Sequence, residues 1–228
     1  MPKIFIECDF NTEEQLWTFL NKFPPQSLFL KVGMELIYAI SFEIINKLKQ
    51  HGHIVFFDLK LNDIPITVEK TLQALKQYQV DFVTIHLTSG EKTLELVHQV
   101  VQDTSIKLLL GITVLTSLDN DDLQTLFLSS TLTTERLVQN LSKLAVGNHF
   151  YGVICSPWEA KMIKTQFSSL QTITHGIQLV TKQTDQKQVA TPVLAKELGA
   201  DYLVIGRAIT SAADPVAVYQ QNVTTLAD

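Results

Sequence analysis

The sequence predicts an α/β protein folded as a single (β/α)8 barrel, and three observations lead to this fold class. Short apolar runs alternate along the chain with longer amphipathic stretches. The apolar runs are nearly continuous, which is typical of parallel strands buried on both faces. The chain has 228 residues, about the length of one such barrel. No linker, composition shift or repeat divides it, so we expect one domain over residues 1–228.

Eight apolar runs define the predicted strands. They cover residues 4–8, 28–32, 54–59, 82–85, 107–112, 152–155, 172–174 and 202–205. Amphipathic patterns predict helices over 13–23, 42–50, 68–78, 93–101, 134–146, 157–166, 192–198 and 215–222. Ser156 and Asp214 precede two of these helices as N-caps. Eight strand–helix units favour the closed TIM-barrel architecture, and an open doubly wound sheet with the same alternation is the alternative.

Two stretches between the predicted elements contain no strand or helix pattern. They span residues 116–133 and 176–191. Long loops inside a compact fold are often functional lids.

Composition excludes several classes of protein. The net charge is -5, and the two arginines, Arg136 and Arg207, belong to no basic stripe, so a nucleic-acid partner is not expected. Cys8 and Cys155 are too few for a disulfide framework or a four-thiolate zinc site. No apolar run reaches the roughly 18 residues that span a bilayer, and the first residues lack a signal-peptide pattern. We therefore expect a cytoplasmic protein with no membrane partner.

Polar residues stand where the predicted strands end, which is where barrel enzymes place their chemistry. In chain order they are Asp9, Lys31, Asp58 with Lys60, His86, Thr113 to Thr116, Ser156, His175, and Gly206 with Arg207. A purely structural sheet would not need charges at this edge. Each residue alone is also compatible with a surface group or a helix cap, but the set favours an active site.

The densest cluster spans residues 58–67. Side chains two apart on a strand share a face, so Asp58 and Lys60 should point together into the barrel mouth, and Leu59 should face the helices. Asp63 follows the strand and is compatible with a helix N-cap, and Pro65 marks the first helical turn. A structural ion pair is the alternative for Asp58 and Lys60. Because burying such charges is costly, a reaction that uses an aimed ammonium explains the cluster better.

These residues carry a family resemblance. The pattern Asp-x-Lys-x-x-Asp-Ile-Pro-x-Thr over 58–67 resembles the signature of the orotidine 5′-phosphate decarboxylase family. Further similar segments are Asp9-Phe10, Lys31-Val32-Gly33, 113–117, 199–207 and 213–215. The resemblance covers nearly the whole chain. The Asp-x-Lys-x-x-Asp pattern by itself is less specific, because it also occurs in sugar-phosphate enzymes on the same barrel.

The resemblance implies a role for each matching residue. Lys60 would donate a proton to pyrimidine C6 as carbon dioxide leaves, within an alternating charge network that includes Asp58, Asp63 and Lys31. The counterparts of Asp63, Ile64 and Thr67 enter the partner subunit's site in the family, which implies a homodimer with shared active sites. The remaining substrate contacts would be Asp9 and Lys31 on the ribose, Thr116 or Ser117 on the pyrimidine, and Gly206, Arg207 and Gln186 on the phosphate.

The phosphate role also follows from the residue types. Gly206 lets the backbone approach an anion closely, and the Arg207 guanidinium matches phosphate in a bidentate way. A surface salt bridge is the alternative for Arg207. This chain departs from the family pattern after the seventh strand. Bacterial members commonly have Thr-Pro-Gly-Ile-Arg there, whereas this chain has His175 in place of the proline and Gln178 in place of the arginine.

Alternative functions remain at this point. One is a magnesium-dependent sugar-phosphate decarboxylase or aldolase that uses the carboxylates as metal ligands. Lys31 disfavours it, because a cation occupies the place of the metal. The other is a catalytically silent phosphate-binding barrel with a regulatory role. No Walker, dinucleotide or zinc motif is present, so we expect neither a cofactor nor a metal.

Overall fold

The fold is a closed barrel of eight parallel strands in chain order. The structure, a computed structural model, describes residues 3–102, 104, 106, 108–178 and 189–227. The strands are β1 (Lys3–Glu7), β2 (Phe29–Gly33), β3 (Ile54–Leu61), β4 (Phe82–His86), β5 (Leu108–Ile112), β6 (Gly152–Cys155), β7 (Gln171–Thr174) and β8 (Tyr202–Ile205). Because β8 pairs with β1, the predicted barrel is confirmed and the open sheet is excluded.

Helices follow the strands and cover the outside of the barrel. They are α1 (Glu13–Leu20), α2 (Met34–Ala39), α3 (Glu43–Gln50), α4 (Pro65–Leu75), α5 (Glu91–Gln102), α6 (Asn120–Phe127), α7 (Thr134–Gly147), α8 (Pro157–Gln166), α9 (Pro192–Glu197), α10 (Arg207–Thr210) and α11 (Pro215–Ala227). Within the described residues, no helix is both long and apolar enough to cross a bilayer.

Several helix predictions are confirmed at their N-termini. Pro65 and Pro157 each stand in the first turn of a helix. Ser156 is the N-cap residue of α8, and its backbone N–H donates to the Glu159 carboxylate at 2.7 Å, whereas its hydroxyl has no hydrogen-bond partner among the described residues. The Asp214 carboxylate accepts the N–H of Ala217 at 2.9 Å, as an N-cap does.

The stretch 116–133 corrects the sequence prediction, because it contains helix α6. Asp119 is the N-cap, and its carboxylate accepts the Asp122 N–H while the Asp122 carboxylate accepts the Asp119 N–H. This reciprocal box stabilises a helix that buries a single side chain, that of Leu123. Of the second stretch, 176–191, residues 179–188 lie outside the described part of the chain.

Two apolar layers hold the barrel. The larger one packs the outward faces of the strands against the helices. The smaller one fills the lower interior with aromatic rings. Phe5 lies at its centre, with ring centroids 5.0 Å from Phe56, 5.3 Å from Phe82 and 5.5 Å from Tyr202. The contacts with Phe56 and Phe82 are edge-to-face and the contact with Tyr202 is stacked, and together these rings close the base of the barrel to water.

Candidate active site

The polar side chains of the barrel mouth form the layer directly above the aromatic base. Side chains two apart on a strand share a face. The residue two positions after each inward apolar residue therefore also points into the barrel, one layer closer to the mouth. These pairs are Phe5 and Glu7, Phe29 and Lys31, Phe56 and Asp58, Phe82 and Thr84, Ile173 and His175, and Val204 and Gly206. The charged layer therefore lies at the carboxyl ends of the strands, where barrels carry their active sites.

Asp58 is the centre of this layer. Its Oδ2 atom lies 2.7 Å from Lys60 Nζ and 3.5 Å from Lys31 Nζ, and its side chain is fully buried. Burial opposes ionisation of the carboxyl group, but the two ammonium groups outweigh it and lower the pKa of Asp58. As predicted, Asp58 and Lys60 share the inward face, while Leu59 packs against the helix-side core.

Lys60 has an unusual backbone conformation. Its φ angle is +53°, in the left-handed region that side chains other than glycine rarely adopt. The pairing of β3 with β4 shifts register between Phe57 and Leu61, so the irregularity re-aims the strand at this residue. Residues held in such conformations cluster at active sites, because surrounding contacts must keep them there.

Thr84 supplies those contacts. Its hydroxyl donates to Asp58 Oδ1 at 3.0 Å and accepts the backbone N–H of Lys60 at 2.9 Å. Thr84 is fully buried on β4, so neither bond competes with water. Sequence reasoning missed this residue, although its spacing of two from Phe82 and from His86 places it on the inward face.

Lys31 is buried between two carboxylates. Its ammonium lies 2.6 Å from Glu7 Oε1 and 3.5 Å from Asp58 Oδ2. Burial opposes the charge, but Asp58 and Glu7 outweigh it and raise the pKa of Lys31. Burial likewise opposes ionisation of Glu7, and Lys31 reverses the effect, so the pKa of Glu7 is lowered. Glu7 was also missed, and its spacing of two from Phe5 is the signal that would have found it.

Two histidines border the charged layer. His175 follows β7, and its Nε2 atom is shielded from solvent without a hydrogen-bond partner. Burial lowers the pKa of His175 to about 4, so this imidazole is neutral at pH 7. Burial also lowers the pKa of His86 at the end of β4, with Lys60 adding to the effect.

The described part of the chain offers no group of side chains suited to hold a metal. Among those residues, no cluster of three or more His, Cys, Asp or Glu side chains has the arrangement of a metal site. Cys8 and Cys155 are buried and free, as expected of core residues.

Comparisons with known proteins decide the family. The model of the "Orotidine 5'-phosphate decarboxylase / HUMPS family" matches residues 2–222. The chain is 43% identical to an orotidine 5'-phosphate decarboxylase of Oenococcus oeni, with 96% of each chain covered. It is 37% identical to the enzyme of that name from Idiomarina loihiensis, over 100% of this chain and 99% of the relative. The chain belongs to the orotidine 5'-phosphate decarboxylase / HUMPS family.

A solved structure supports the same assignment. The orotidine 5'-phosphate decarboxylase of Lactobacillus acidophilus superimposes with a TM-score of 0.87 and 33% identity, and each chain is covered completely. The fold of this chain therefore matches that of the Lactobacillus acidophilus protein over all of the compared residues.

The residues that the family resemblance assigns to the mouth separate into two groups in the structure. The first comprises Asp58, Lys60 and Lys31, which meet in one network. Asp63 stands apart: within the described part of the chain it makes no ion pair, and its carboxylate accepts the N–H of Ile64 at 2.7 Å. Ile64, not Asp63, is the N-cap residue of α4, because the chain turns into the helix only at Pro65.

The rest of the second group lies on the rim. Asp9, Ile64, Thr67 and Ser117 are exposed, and Thr116 is half-buried. Although Asp9 is exposed, the surrounding protein partly desolvates its carboxylate, and this effect, with Glu7 adding to it, raises the pKa of Asp9. None of these residues contacts Lys60 in a hydrogen bond or ion pair, so the structure brings the rim residues near the mouth without joining them to the network.

The candidate phosphate site lies at the end of β8, which is beside β1 in the barrel. Gly206 follows β8 and precedes α10, whose first residue is the exposed Arg207. A Cβ at Gly206 would lie 2.6 Å from Glu7 Oε2, so any other residue here would displace the Glu7 carboxylate. Gln178 pairs its backbone N–H with the Ala190 carbonyl at 3.0 Å. Gln186, also assigned to the phosphate, lies outside the described residues.

Proposed function

We propose that the chain decarboxylates orotidine 5′-phosphate to uridine 5′-phosphate, a step of pyrimidine biosynthesis, without a cofactor. The observation that carries this proposal is the ion-pair chain from Lys60 through Asp58 to Lys31 at the mouth of a barrel of this family. The relatives above bear the name of this enzyme.

The reaction needs a preformed charge arrangement. Loss of carbon dioxide from pyrimidine C6 leaves an electron pair on a carbon that has no adjacent electron sink. A fixed ammonium beside C6 stabilises the developing negative charge. Because the ammonium is already in place, the site needs no reorganisation during the step. Lys60 would then transfer a proton to C6, which forms the C–H bond and leaves a neutral amine.

Asp58 would serve Lys60 in two ways. As an ionised carboxylate at 2.7 Å, it accepts a hydrogen bond from the ammonium and points it into the mouth. It would also stand near the departing carboxylate and repel it in the bound substrate, an effect whose weight in enzymes is debated. Lys31 and Asp9 would bind the ribose hydroxyls, and Thr116 or Ser117 the pyrimidine.

Phosphate binding would use Gly206 and Arg207, with Gln186 and Gln178 from the seventh loop. The Arg207 guanidinium offers paired donors to phosphate oxygens. Binding energy at the phosphate, remote from C6, can orient the pyrimidine over Lys60.

A homodimer with shared active sites completes the proposal. Apolar side chains lie exposed beside the mouth: Met34 is 48% exposed, Tyr38 77%, Ile64 62% and Ile66 49%. Exposed apolar clusters of this kind mark protein interfaces. Asp63, which is exposed and belongs to no ion pair in the described part of its own chain, would enter the partner subunit's network.

We place this enzyme in the cytoplasm.

Turnover of orotidine 5′-phosphate, followed by the change in ultraviolet absorbance, tests the function. We expect full activity after dialysis against a chelator. No turnover by folded protein would refute the proposal. Activity that is lost on chelation and restored by magnesium would instead favour the metal-dependent sugar-phosphate enzyme, which none of the named relatives supports.

A further inference from the structure

Glu7 occupies a position that the proposed reaction does not use. It is the last residue of β1, directly across the ladder from Lys31 on β2. Its carboxylate lies 2.6 Å from Lys31 Nζ, and the two side chains are 25% and 4% exposed. An ion pair this short and this shielded from water is stronger than a surface pair.

Two ammonium groups compete for one oxygen of Asp58. Lys60 Nζ lies 2.7 Å from Asp58 Oδ2, and Lys31 Nζ lies 3.5 Å from the same atom. The other oxygen, Oδ1, accepts the Thr84 hydroxyl. Lys60 therefore holds the hydrogen bond to Oδ2, and Lys31 is kept beyond hydrogen-bond distance.

Glu7 explains why the Lys31 ammonium lies farther from Asp58 Oδ2 than the Lys60 ammonium does. It pulls the Lys31 ammonium toward β1, away from Asp58. Gly206 gives its carboxylate the room to stay there, since a Cβ at that position would lie 2.6 Å from Glu7 Oε2. Without the charge of Glu7, Asp58 would be the strongest remaining partner of a buried ammonium, and a buried charge needs a partner.

We propose that Glu7 is a positioning residue: it holds the Lys31 ammonium on the β1 side of the mouth and so leaves Asp58 Oδ2 to Lys60. Glu7 touches neither the reacting carbon nor the proton that moves. It acts through Lys31 on the aim of Lys60. This inference rests on the proposed decarboxylation for its kinetic consequence, but its structural consequence is independent of any activity.

The kinetic test compares Glu7→Gln with the parent protein on orotidine 5′-phosphate. Because misplacement of a catalytic group by about 1 Å can cost about 100-fold, we expect kcat to fall about 10- to 100-fold. KM should rise less than kcat falls, because Asp9 still binds the ribose when Lys31 moves, whereas the aim of Lys60 is lost. Glu7→Asp keeps the charge on a shorter side chain, so its kcat should lie between that of the parent protein and that of Glu7→Gln.

The structural test measures acetylation of individual lysines in the folded protein by acetic anhydride, read by peptide mass spectrometry. An ammonium held by a short hydrogen bond to a carboxylate is less available to the reagent than one that has lost this partner. In Glu7→Gln, Lys31 should move to Asp58 and displace Lys60, so acetylation of Lys60 should rise about threefold or more. This readout gives an answer even if the chain does not turn over orotidine 5′-phosphate.

The surface pair between Lys47 and Glu13, with a 2.7 Å contact, supplies the matched control. Glu13→Gln removes the same chemical group from a lysine outside the mouth. It should raise acetylation of Lys47 and leave both Lys60 acetylation and kcat unchanged.

Two results would overturn the proposal. One is parental Lys60 acetylation in folded Glu7→Gln, with or without activity. The other is a rise in the KM of Glu7→Gln while its kcat stays at the parental value. Should Glu7→Gln fail to fold, Glu7→Asp carries the test, and parental kcat together with parental Lys60 acetylation in that variant would refute the role.

Discussion

The hydroxyl of Thr84 accepts the backbone N–H of Lys60 at 2.9 Å while it donates to Asp58 Oδ1 at 3.0 Å. One buried side chain on β4 thus holds both ends of the Lys60–Asp58 pair. It also secures Lys60 at a φ of +53°, a conformation that costs about 1–3 kcal/mol without such support. The precision of the proposed proton donor therefore depends on a residue of the neighbouring strand.

Replacing Thr84 should disturb both catalysis and stability. Thr84→Val has nearly the same shape but leaves the Lys60 N–H and Asp58 Oδ1 without their partner. We expect the free energy of unfolding to fall by about 1–3 kcal/mol and kcat to fall about tenfold or more. Urea denaturation and steady-state kinetics measure the two effects.

Thr84→Ser keeps the hydroxyl and should retain most of the activity. Thr93→Val is the matched control, because Thr93 is equally buried and its hydroxyl bonds only to the Ser89 carbonyl at 3.1 Å. It should lose stability without losing kcat. Parental kcat in folded Thr84→Val would contradict the positioning role.

Removing the proposed proton donor should abolish turnover. Lys60→Ala loses both the ammonium that stabilises charge at C6 and the proton itself, so kcat should fall at least about 1000-fold. Lys47→Ala, which removes a surface lysine, should leave kcat unchanged. Near-parental activity in a folded Lys60→Ala protein would remove the central assignment.

Mixing two inactive variants tests the shared site. If Asp63 serves the partner subunit's Lys60, a heterodimer of Lys60→Ala and Asp63→Ala chains contains one site with neither substitution. Subunit exchange should then restore about a quarter of the parental activity at equal mixing, since half of the dimers are mixed and each has one intact site. Analytical ultracentrifugation checks the dimer, and no recovery despite demonstrated exchange would contradict sharing.

Arg207 should contribute more to phosphate binding than Gln178. A guanidinium forms charged bidentate bonds with phosphate, whereas a neutral hydrogen bond from Gln178 is worth about 0.5–1.5 kcal/mol net. Arg207→Ala should lower kcat/KM for the nucleotide more than Gln178→Ala does, and it should affect the phosphate-free nucleoside far less. Gln178→Arg should lower KM if residue 178 faces the phosphate.

Arg136→Ala, on helix α7, controls for loss of an arginine elsewhere. Equal losses on nucleotide and nucleoside for Arg207→Ala would show that Arg207 is structural and that the phosphate binds at another place.

The buried histidine of the mouth should make folding sensitive to acid. The pKa of His175 is lowered from 6.5 to about 4 by burial, so between these values the unfolded chain binds a proton that the folded protein does not. Stability is complete above pH 6.5 and falls as the pH drops toward 4, by on the order of 3 kcal/mol. Other buried groups shift stability in the same direction, so the comparison needs a variant.

His175→Gln cannot titrate and should lose less stability across this pH window than the parent does, as measured by urea denaturation at each pH. His149→Gln, which replaces an exposed histidine, should follow the parent. Parallel curves for the parent and His175→Gln would contradict the prediction.

Much of this protein follows from local rules that the sequence carries. Continuous apolar runs predict the eight strands, because strands buried on both faces need apolar residues throughout. The spacing of Asp58 and Lys60 predicts their shared face, because side chains alternate along a strand. The proline of α4 predicts where that helix begins, since proline is accommodated in the first turn. These features depend on residues close together in the chain.

The tertiary structure decided what depends on contacts between strands. Glu7 meets Lys31 because β1 and β2 pair in that register, and Thr84 reaches Lys60 because β4 lies beside the irregular end of β3. Neither register can be read from one strand alone, so the sequence could indicate that both side chains face inward but not which residues they contact. The charged layer is determined by each strand's own alternation, but the partners within it are chosen only when the barrel closes and brings distant strands to hydrogen-bond distance.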